Sequence, residues 1–326
     1  MSIHYDQIVG DDFAGELCPD AAQIVQSIHD PNAPPVEATD ITAAREGHLF
    51  AAHDLPLITN GLSVDDRQIE VGGRRIGIRV YTPSGAGPFP ILLFAHGGCW
   101  TFCSLNSHDR ICRFYADVVG CVVVSVDYRM APEYPFPAAL DDFYDALIWC
   151  FEHASSLKGD PGRVAVAGDS AGGNLSAAAA LRLQSHPKYR LCLQVLLYPI
   201  CDASALSGGS MERYADGYFF TREVLAWTAS LYTKGSDVAN PEISPQYATV
   251  TPNLAPALFI IAECDILRDQ ALAYAQKLRA ADIKVHCNYY RGVPHAFVAM
   301  AGVLDLGKQA LQDSVHSLRQ AFTQPD

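Results

Sequence analysis

From about residue 90 onward, short apolar runs alternate with stretches of helical spacing, and this alternation constrains the chain more than any other feature. Residues 91–95, 122–126, 164–167, 193–197, 258–262 and 285–290 have the length and apolar character of buried strands. Segments 109–119, 140–152, 171–184, 270–281 and 310–322 carry helical periodicity between and after them. Strands that are apolar throughout must be covered on both faces, and parallel strands need crossovers long enough to hold a helix. The pattern therefore predicts an α/β fold: a mostly parallel central sheet with helices on both faces. Upstream, 68–71 and 74–81 flank Gly72-Gly73 and read as a hairpin.

Two regions stand apart. Residues 1 to about 60 are helix-prone, interrupted by turns at Pro31, Pro34 and Pro35, and read as lying outside the sheet. Residues 201–253 separate two strands, too long for a simple connection, and hold a helical piece at 222–233 with many aromatics. The expected organisation is an N-terminal segment 1–60, a first core part 61–200, an insertion 201–253 and a second core part 254–326. The N-terminal segment and the insertion together would form a helical cap.

With 49% hydrophobic residues in 326, a sizeable core is available. A net charge of −13 disfavours nucleic acid and anionic lipid as partners. The first residues lack the basic and apolar regions of a signal peptide, and no run reaches the length of a membrane span. The expectation is a cytoplasmic protein without stable membrane insertion. Ten cysteines show no C-x-x-C pair, so reduced core thiols are expected, and no metal or cofactor.

Chemistry concentrates in three places. Gly168-Asp169-Ser170-Ala171-Gly172-Gly173 fits G-x-S-x-G between a strand and a helix. Such a turn exposes Ser170 at the carboxyl end of the sheet, and larger residues at 168 and 172 would collide. The run His96-Gly97-Gly98-Cys99-Trp100 follows the strand at 91–95, where a glycine-rich loop can aim backbone N–H groups at a developing oxyanion. Cys99 stands where a third glycine would be expected, and a positive φ there would cost about 1 kcal/mol. His96 reads as a structural hydrogen-bonder. Of eleven histidines, His295 is the one in a loop after the last strand that also follows an acid cluster. His286 lies within that strand. The acid is Asp265, Asp269 or Glu263, with Asp269 also suited to cap a helix at Gln270.

These residues make the chain resemble the hormone-sensitive-lipase family of esterases, which has the α/β-hydrolase fold. The blocks that carry the resemblance are His96–Trp100, Asp127-Tyr128-Arg129-Met130-Ala131-Pro132-Glu133, Gly168–Gly173, and Asp265–Asp269 with His295. The resemblance runs from about residue 65 to 300. The resemblance implies a serine carboxylesterase with catalytic Ser170, Asp265 and His295, the first Asp of D-x-L-x-D being the family's acid. It implies oxyanion donors at Gly98, Cys99 and Ala171, a cap, a small-molecule ester substrate and a homodimer. Departures are Cys99, and Ile266 in place of proline. The Asp127–Glu133 block reads as a turn stabilised by its Arg and Glu. Trp100, Phe102, Phe219 and Phe220, with Tyr218 and Trp227, are candidates for an apolar pocket taking short- to medium-chain or aromatic esters. The alternatives are an amidase or deacetylase, a non-catalytic small-molecule receptor on the same fold, and an esterase regulated through the Cys99 thiol.

Overall fold

The computed structural model describes residues 5–28, 30, 38, 40–46 and 55–323. The strands are β1 (Gln7–Val9), β2 (Leu62–Val71), β3 (Arg74–Pro83), β4 (Phe89–Ala95), β5 (Val122–Asp127), β6 (Gly159–Asp169), β7 (Leu193–Leu197), β8 (Ala257–Cys264) and β9 (Val285–Pro294). The helices are α1 (Pro19–Ile28), α2 (Ile41–Glu46), α3 (Asp109–Tyr115), α4 (Ala138–Glu152), α5 (Ala171–Leu183), α6 (Gly209–Arg213), α7 (Arg222–Thr233), α8 (Arg268–Ala280) and α9 (Asp305–Thr323). The strands form one sheet in the order β1-β9-β8-β7-β6-β4-β5-β3-β2. Every neighbouring pair from β1 to β5 is parallel, and the β2–β3 hairpin joins β5 antiparallel. This is the mostly parallel sheet that the apolar alternation predicts.

Side chains along β4 show why the runs are apolar throughout. Ile91, Leu93 and Ala95 enter one core, with Leu140, Phe143 and Leu147 of α4 and Leu175 of α5. Leu92 and Phe94 enter the opposite core, with Ile111 and Tyr115 of α3 and Leu311 and Val315 of α9. Both faces are covered, so strand period 2 exposes neither.

The chain runs from β4 to β5 on one side and then returns to place β6 on the other side of β4. Strand order thus reverses at β4, and the crevice at the carboxyl ends of β4 and β6 is where such a sheet binds ligands. The register brings Ala95, just before the glycine-rich loop, opposite Gly168, just before the G-x-S-x-G turn.

The helix expected over 109–119 instead passes from α3 into a π-helical turn, Ala116–Gly120, ended by Gly120 at φ +75°. The expectation that the N-terminal residues lie outside the sheet is corrected. Gln7–Val9 extend the β9 edge in parallel, and Asp6 Oδ2 accepts the Cys287 N–H at 2.6 Å. Three residues with Ile8 half exposed carry no alternation that could announce a strand. The turns at Pro31, Pro34 and Pro35 lie outside the described residues. Within 201–253, α7 occupies the expected 222–233, capped by Thr221, whose Oγ1 accepts the Val224 N–H at 3.2 Å.

Candidate active site

Ser170 sits between the end of β6 and the start of α5 with φ +56° and ψ −118°, outside the regions open to a relaxed L-residue. Backbone crowding leaves the turn no room for side chains. A Cβ on Gly172 would stand 2.0 Å from the Ala95 carbonyl oxygen, and one on Gly168 would stand 2.3 Å from Gly172. The Ser170 N–H donates to the Leu197 carbonyl at 2.9 Å, and the Ser170 carbonyl accepts the first helical bond of α5, from Asn174, at 3.0 Å. The turn therefore holds the hydroxyl out at the carboxyl edge of the sheet, over the N-terminus of α5.

His295 follows β9 at the same edge. Its Nε2 lies 2.9 Å from Ser170 Oγ and its Nδ1 lies 2.7 Å from Asp265 Oδ2. All three residues are buried. Asp265 follows β8, and its Oδ1 accepts the Leu267 N–H at 2.8 Å, which fixes the carboxylate plane. Among the three acids left open by spacing, Asp265 is the one against His295. Glu263 instead accepts the Gly292 N–H at 2.8 Å and so supports the histidine loop. Asp269 does not cap a helix at Gln270. The helix α8 begins at Arg268, and Asp269 reaches across to the Ser210 N–H of α6 at 2.8 Å. His286 is exposed near the amino end of β9. Rings also hem in the imidazole: Phe220 stacks on His295 at 4.6 Å and Tyr198 meets it edge-on at 4.9 Å.

A family model described as the alpha/beta hydrolase fold matches residues 92–299, which hold all of these groups. The chain belongs to the α/β-hydrolase family. This α/β-hydrolase is 41% identical over 266 residues to the carboxylic ester hydrolase LipN of Mycobacterium tuberculosis, a match covering 79% of this chain and 70% of the relative. It is 38% identical over 272 residues to the ethyl acetate hydrolase of Pseudomonas putida, covering 82% of this chain and 84% of that one. Among solved structures, the hyperthermophilic esterase of Pyrobaculum calidifontis superimposes with a TM-score of 0.88 at 34% identity, over 94% of this chain and 98% of that one. The chain thus stands among the carboxylic ester hydrolases of the family.

In this α/β-hydrolase the glycine-rich loop stands beside the Ser170 hydroxyl. Gly98 has φ +98°, and Cys99 and Trp100 also adopt positive φ, +54° and +56°. Cys99 therefore does take the left-handed conformation that glycine would take without strain. The N–H groups of Gly98 and Cys99 have no hydrogen-bond acceptor among the described residues. Ala171, first residue of α5, likewise carries one of the N–H groups that a helix start leaves open. The Cys99 thiol lies at the cleft, and burial pushes its pKa up to about 12, so it stays protonated and is a poor nucleophile.

The loop is backed by the Asp127–Glu133 turn. Tyr128 Oη donates to the His96 carbonyl at 2.8 Å and its ring stacks on the His96 ring at 4.4 Å. The Ala131 N–H donates to the Trp100 carbonyl at 2.9 Å. Arg129 forks onto Asp142 of α4 with two bonds of 2.8 Å, and Glu133 receives two bonds of 2.9 Å from Arg45 of α2. Arg45 also donates to the Thr101 carbonyl at 2.7 Å, so the N-terminal segment holds the loop directly. His96 is buried, which lowers its pKa to about 4 and keeps it neutral.

The cleft beside Ser170 is narrow, with a cavity volume of about 30 Å³. Of the aromatic candidates, Phe102 and Phe220 line it, with Cys103, Val224 and Ala299. Trp100 does not line it: it is fully buried and stacks on Tyr232 of α7 at 4.3 Å and 4°. Phe219 does not line it either: it is partly buried and packs against the outside of the core. Trp227 reaches only as far as Phe102, at 6.1 Å between ring centroids. Two residues of this edge escaped the sequence reading: Asp169, whose Oδ1 accepts the Gly97 N–H at 2.8 Å, and His108, whose Nε2 lies 3.0 Å from the same oxygen. The first was hidden inside a motif valued for its serine, and the second carried no local signal. Among the described residues, no helix is long and apolar enough to cross a membrane.

Proposed function

We propose that this chain is a serine carboxylesterase of the hormone-sensitive-lipase type. Ser170 is the nucleophile, His295 the general base and acid, and Asp265 the group that holds the imidazole. The observation that carries this reading is the continuous chain of short contacts, 2.9 Å from Ser170 Oγ to His295 Nε2 and 2.7 Å from His295 Nδ1 to Asp265 Oδ2. Nε2 takes the hydroxyl proton as Oγ attacks the ester carbonyl. Asp265 accepts the Nδ1 proton bond, selects the tautomer and stabilises the imidazolium. The Gly98, Cys99 and Ala171 N–H groups face the tetrahedral oxyanion, each worth about 3 kcal/mol in the transition state. His295 then protonates the leaving alcohol, and a water activated by the same nitrogen cleaves the acyl-enzyme. No other reactant is required.

The narrow cleft between Phe102 and Phe220 supports short- to medium-chain or aromatic carboxylic esters, the short end above all. The helix α2 and residues 201–253 serve as the cap: Arg45 ties α2 to the glycine-rich loop, and Phe220 and Val224 bring the insertion to the cleft. The test is hydrolysis of p-nitrophenyl esters from acetate to decanoate, and of a matched anilide, by the native chain and Ser170→Ala. Ester turnover that falls by about 10⁴-fold or more in Ser170→Ala supports the reading. Cleavage of the anilide alone would make the protein an amidase. A folded protein that binds esters without turning them over would be a receptor.

A further inference from the structure

The peptide that carries the Cys99 N–H is held from a distance. Its carbonyl, that of Gly98, accepts two bonds, from the Thr101 N–H at 2.9 Å and from the Phe102 N–H at 2.7 Å. The Phe102 N–H shares a peptide group with the Thr101 carbonyl, and that carbonyl accepts Arg45 Nε–H at 2.7 Å. A line of hydrogen bonds therefore runs from the guanidinium through two peptide groups and ends on the Cys99 N–H. The rest of the guanidinium is fixed as well. Nη2 donates to the Ala131 carbonyl at 2.7 Å, and Nη1 and Nη2 each donate to one Glu133 oxygen at 2.9 Å. The Ala131 N–H in turn donates to the Trp100 carbonyl at 2.9 Å. Four of the five N–H groups of Arg45 are thus engaged. The segment they grip is strained: Gly98, Cys99 and Trp100 follow one another at φ +98°, +54° and +56°. Two side chains in succession stand in a left-handed conformation, which persists only where the surroundings over-determine it.

We propose that Arg45 is a positioning residue for the oxyanion hole. It holds the 101–102 peptide, and through it the Gly98–Cys99 peptide, in the plane that aims the Cys99 N–H at the developing oxyanion. The proposal rests on the esterase reading above, which gives that N–H its role. Two effects add. The bond from Nε–H keeps the 101–102 peptide from tilting, and each bond in the line polarises the next, which strengthens the terminal N–H as a donor. The ion pair with Glu133 contributes little stability by itself, since that carboxylate is half exposed. It sets the plane of the guanidinium, so that Nε–H points at Thr101 and Nη2 at Ala131. Lysine is a poor substitute, because donors on a single nitrogen cannot reproduce the spacing of this fork. The helix α7 holds the same loop by side chains, with Trp100 stacked on Tyr232 and Phe102 against Trp227. That second contact keeps the loop in place without Arg45, so removing the guanidinium should cost catalytic rate and leave the fold intact.

The test compares the native full chain with Arg45→Ala and Arg45→Lys. Active sites are counted with a p-nitrophenyl alkylphosphonate, so that every rate is per competent site and a misfolded fraction drops out. With p-nitrophenyl acetate, Arg45→Ala should lower kcat about 10-fold or more and change KM by less than about 3-fold, because the aim of the donor matters only in the transition state. Arg45→Lys should recover part of that loss and no more. A trifluoromethyl ketone gives the second readout. Ser170 Oγ adds to its carbonyl carbon, His295 takes the hydroxyl proton, and the carbonyl oxygen becomes an oxyanion in the same hole. Its inhibition constant should rise in each variant by the factor lost in kcat/KM. A folded Arg45→Ala with native kcat, a loss confined to KM, or a ketone bound as tightly as by the native chain would overturn the proposal. Should Arg45→Ala not fold, Arg45→Lys decides by the same comparison: native kcat and native ketone affinity would overturn it. A failure of the esterase reading itself would show separately, as absent ester hydrolysis in the native chain.

Discussion

At the carboxyl ends of β4 and β6 the site is backbone packed on backbone, whereas at the ends of β8 and β9 it is side chains reaching across loops. On the first side, Gly168 and Gly172 each stand where a Cβ would meet backbone within 2.3 Å. The turn cannot relax without moving a strand, so Ser170 holds its strained angles. On the second side, Asp265, Glu263 and His295 are fixed by hydrogen bonds of 2.7–2.8 Å that a single substitution can remove while the strands stay put. Damage to the backbone half should therefore appear as lost folding, and damage to the side-chain half as lost rate in an intact fold.

The sharpest way to break this contrast is Asp265→Asn. The amide keeps the size of the carboxylate but favours the wrong imidazole tautomer. The expected result is a fall in kcat of about 10⁴-fold with an unchanged melting temperature. A melting temperature that dropped by many degrees would show that the side-chain half is structural too. Gly172→Ala is the converse. Its methyl must displace the Ala95 carbonyl, and the expected loss is about 3 kcal/mol or more of unfolding free energy, read from denaturant midpoints. A stable Gly172→Ala protein would mean that the strand-to-helix turn has slack.

Cys99→Gly sharpens the comparison within the backbone half. It removes the left-handed strain of about 1 kcal/mol and restores unfolded-chain freedom of similar size, so stability should shift by less than about 1 kcal/mol. The cleft should widen, and acyl-length profiles should move toward longer esters. An unmoved profile would place the acyl limit at Phe102 or Phe220 instead.

The same contrast explains what was legible before the structure. The backbone half is written locally: tight turns need small residues at fixed spacing, so Gly168–Gly173 and His96–Cys99 stood out. The central strands and most helices were legible for a similar reason, since burial on both faces leaves unbroken apolar runs. The side-chain half was readable only by order along the chain, and Asp265, Asp269 and Glu263 could be separated only by the family resemblance. Long-range pairings left no trace. Arg45 meets Glu133 from 88 residues away, and Gly97 meets Asp169 from 72. The strand Gln7–Val9 was missed because it borrows its order from β9 and has no alternation of its own. Trp100 looked like a pocket wall because it follows the loop, but a positive φ turns it inward onto Tyr232.

The most direct test of the account is to treat the protein with a p-nitrophenyl alkylphosphonate, which traps a serine nucleophile covalently, and to map the label by mass spectrometry. One label per chain on the peptide holding Ser170, lost in Ser170→Ala, is the predicted result. A label on Cys99 or Cys103, or ester turnover that continues with Ser170 unlabelled, would contradict it.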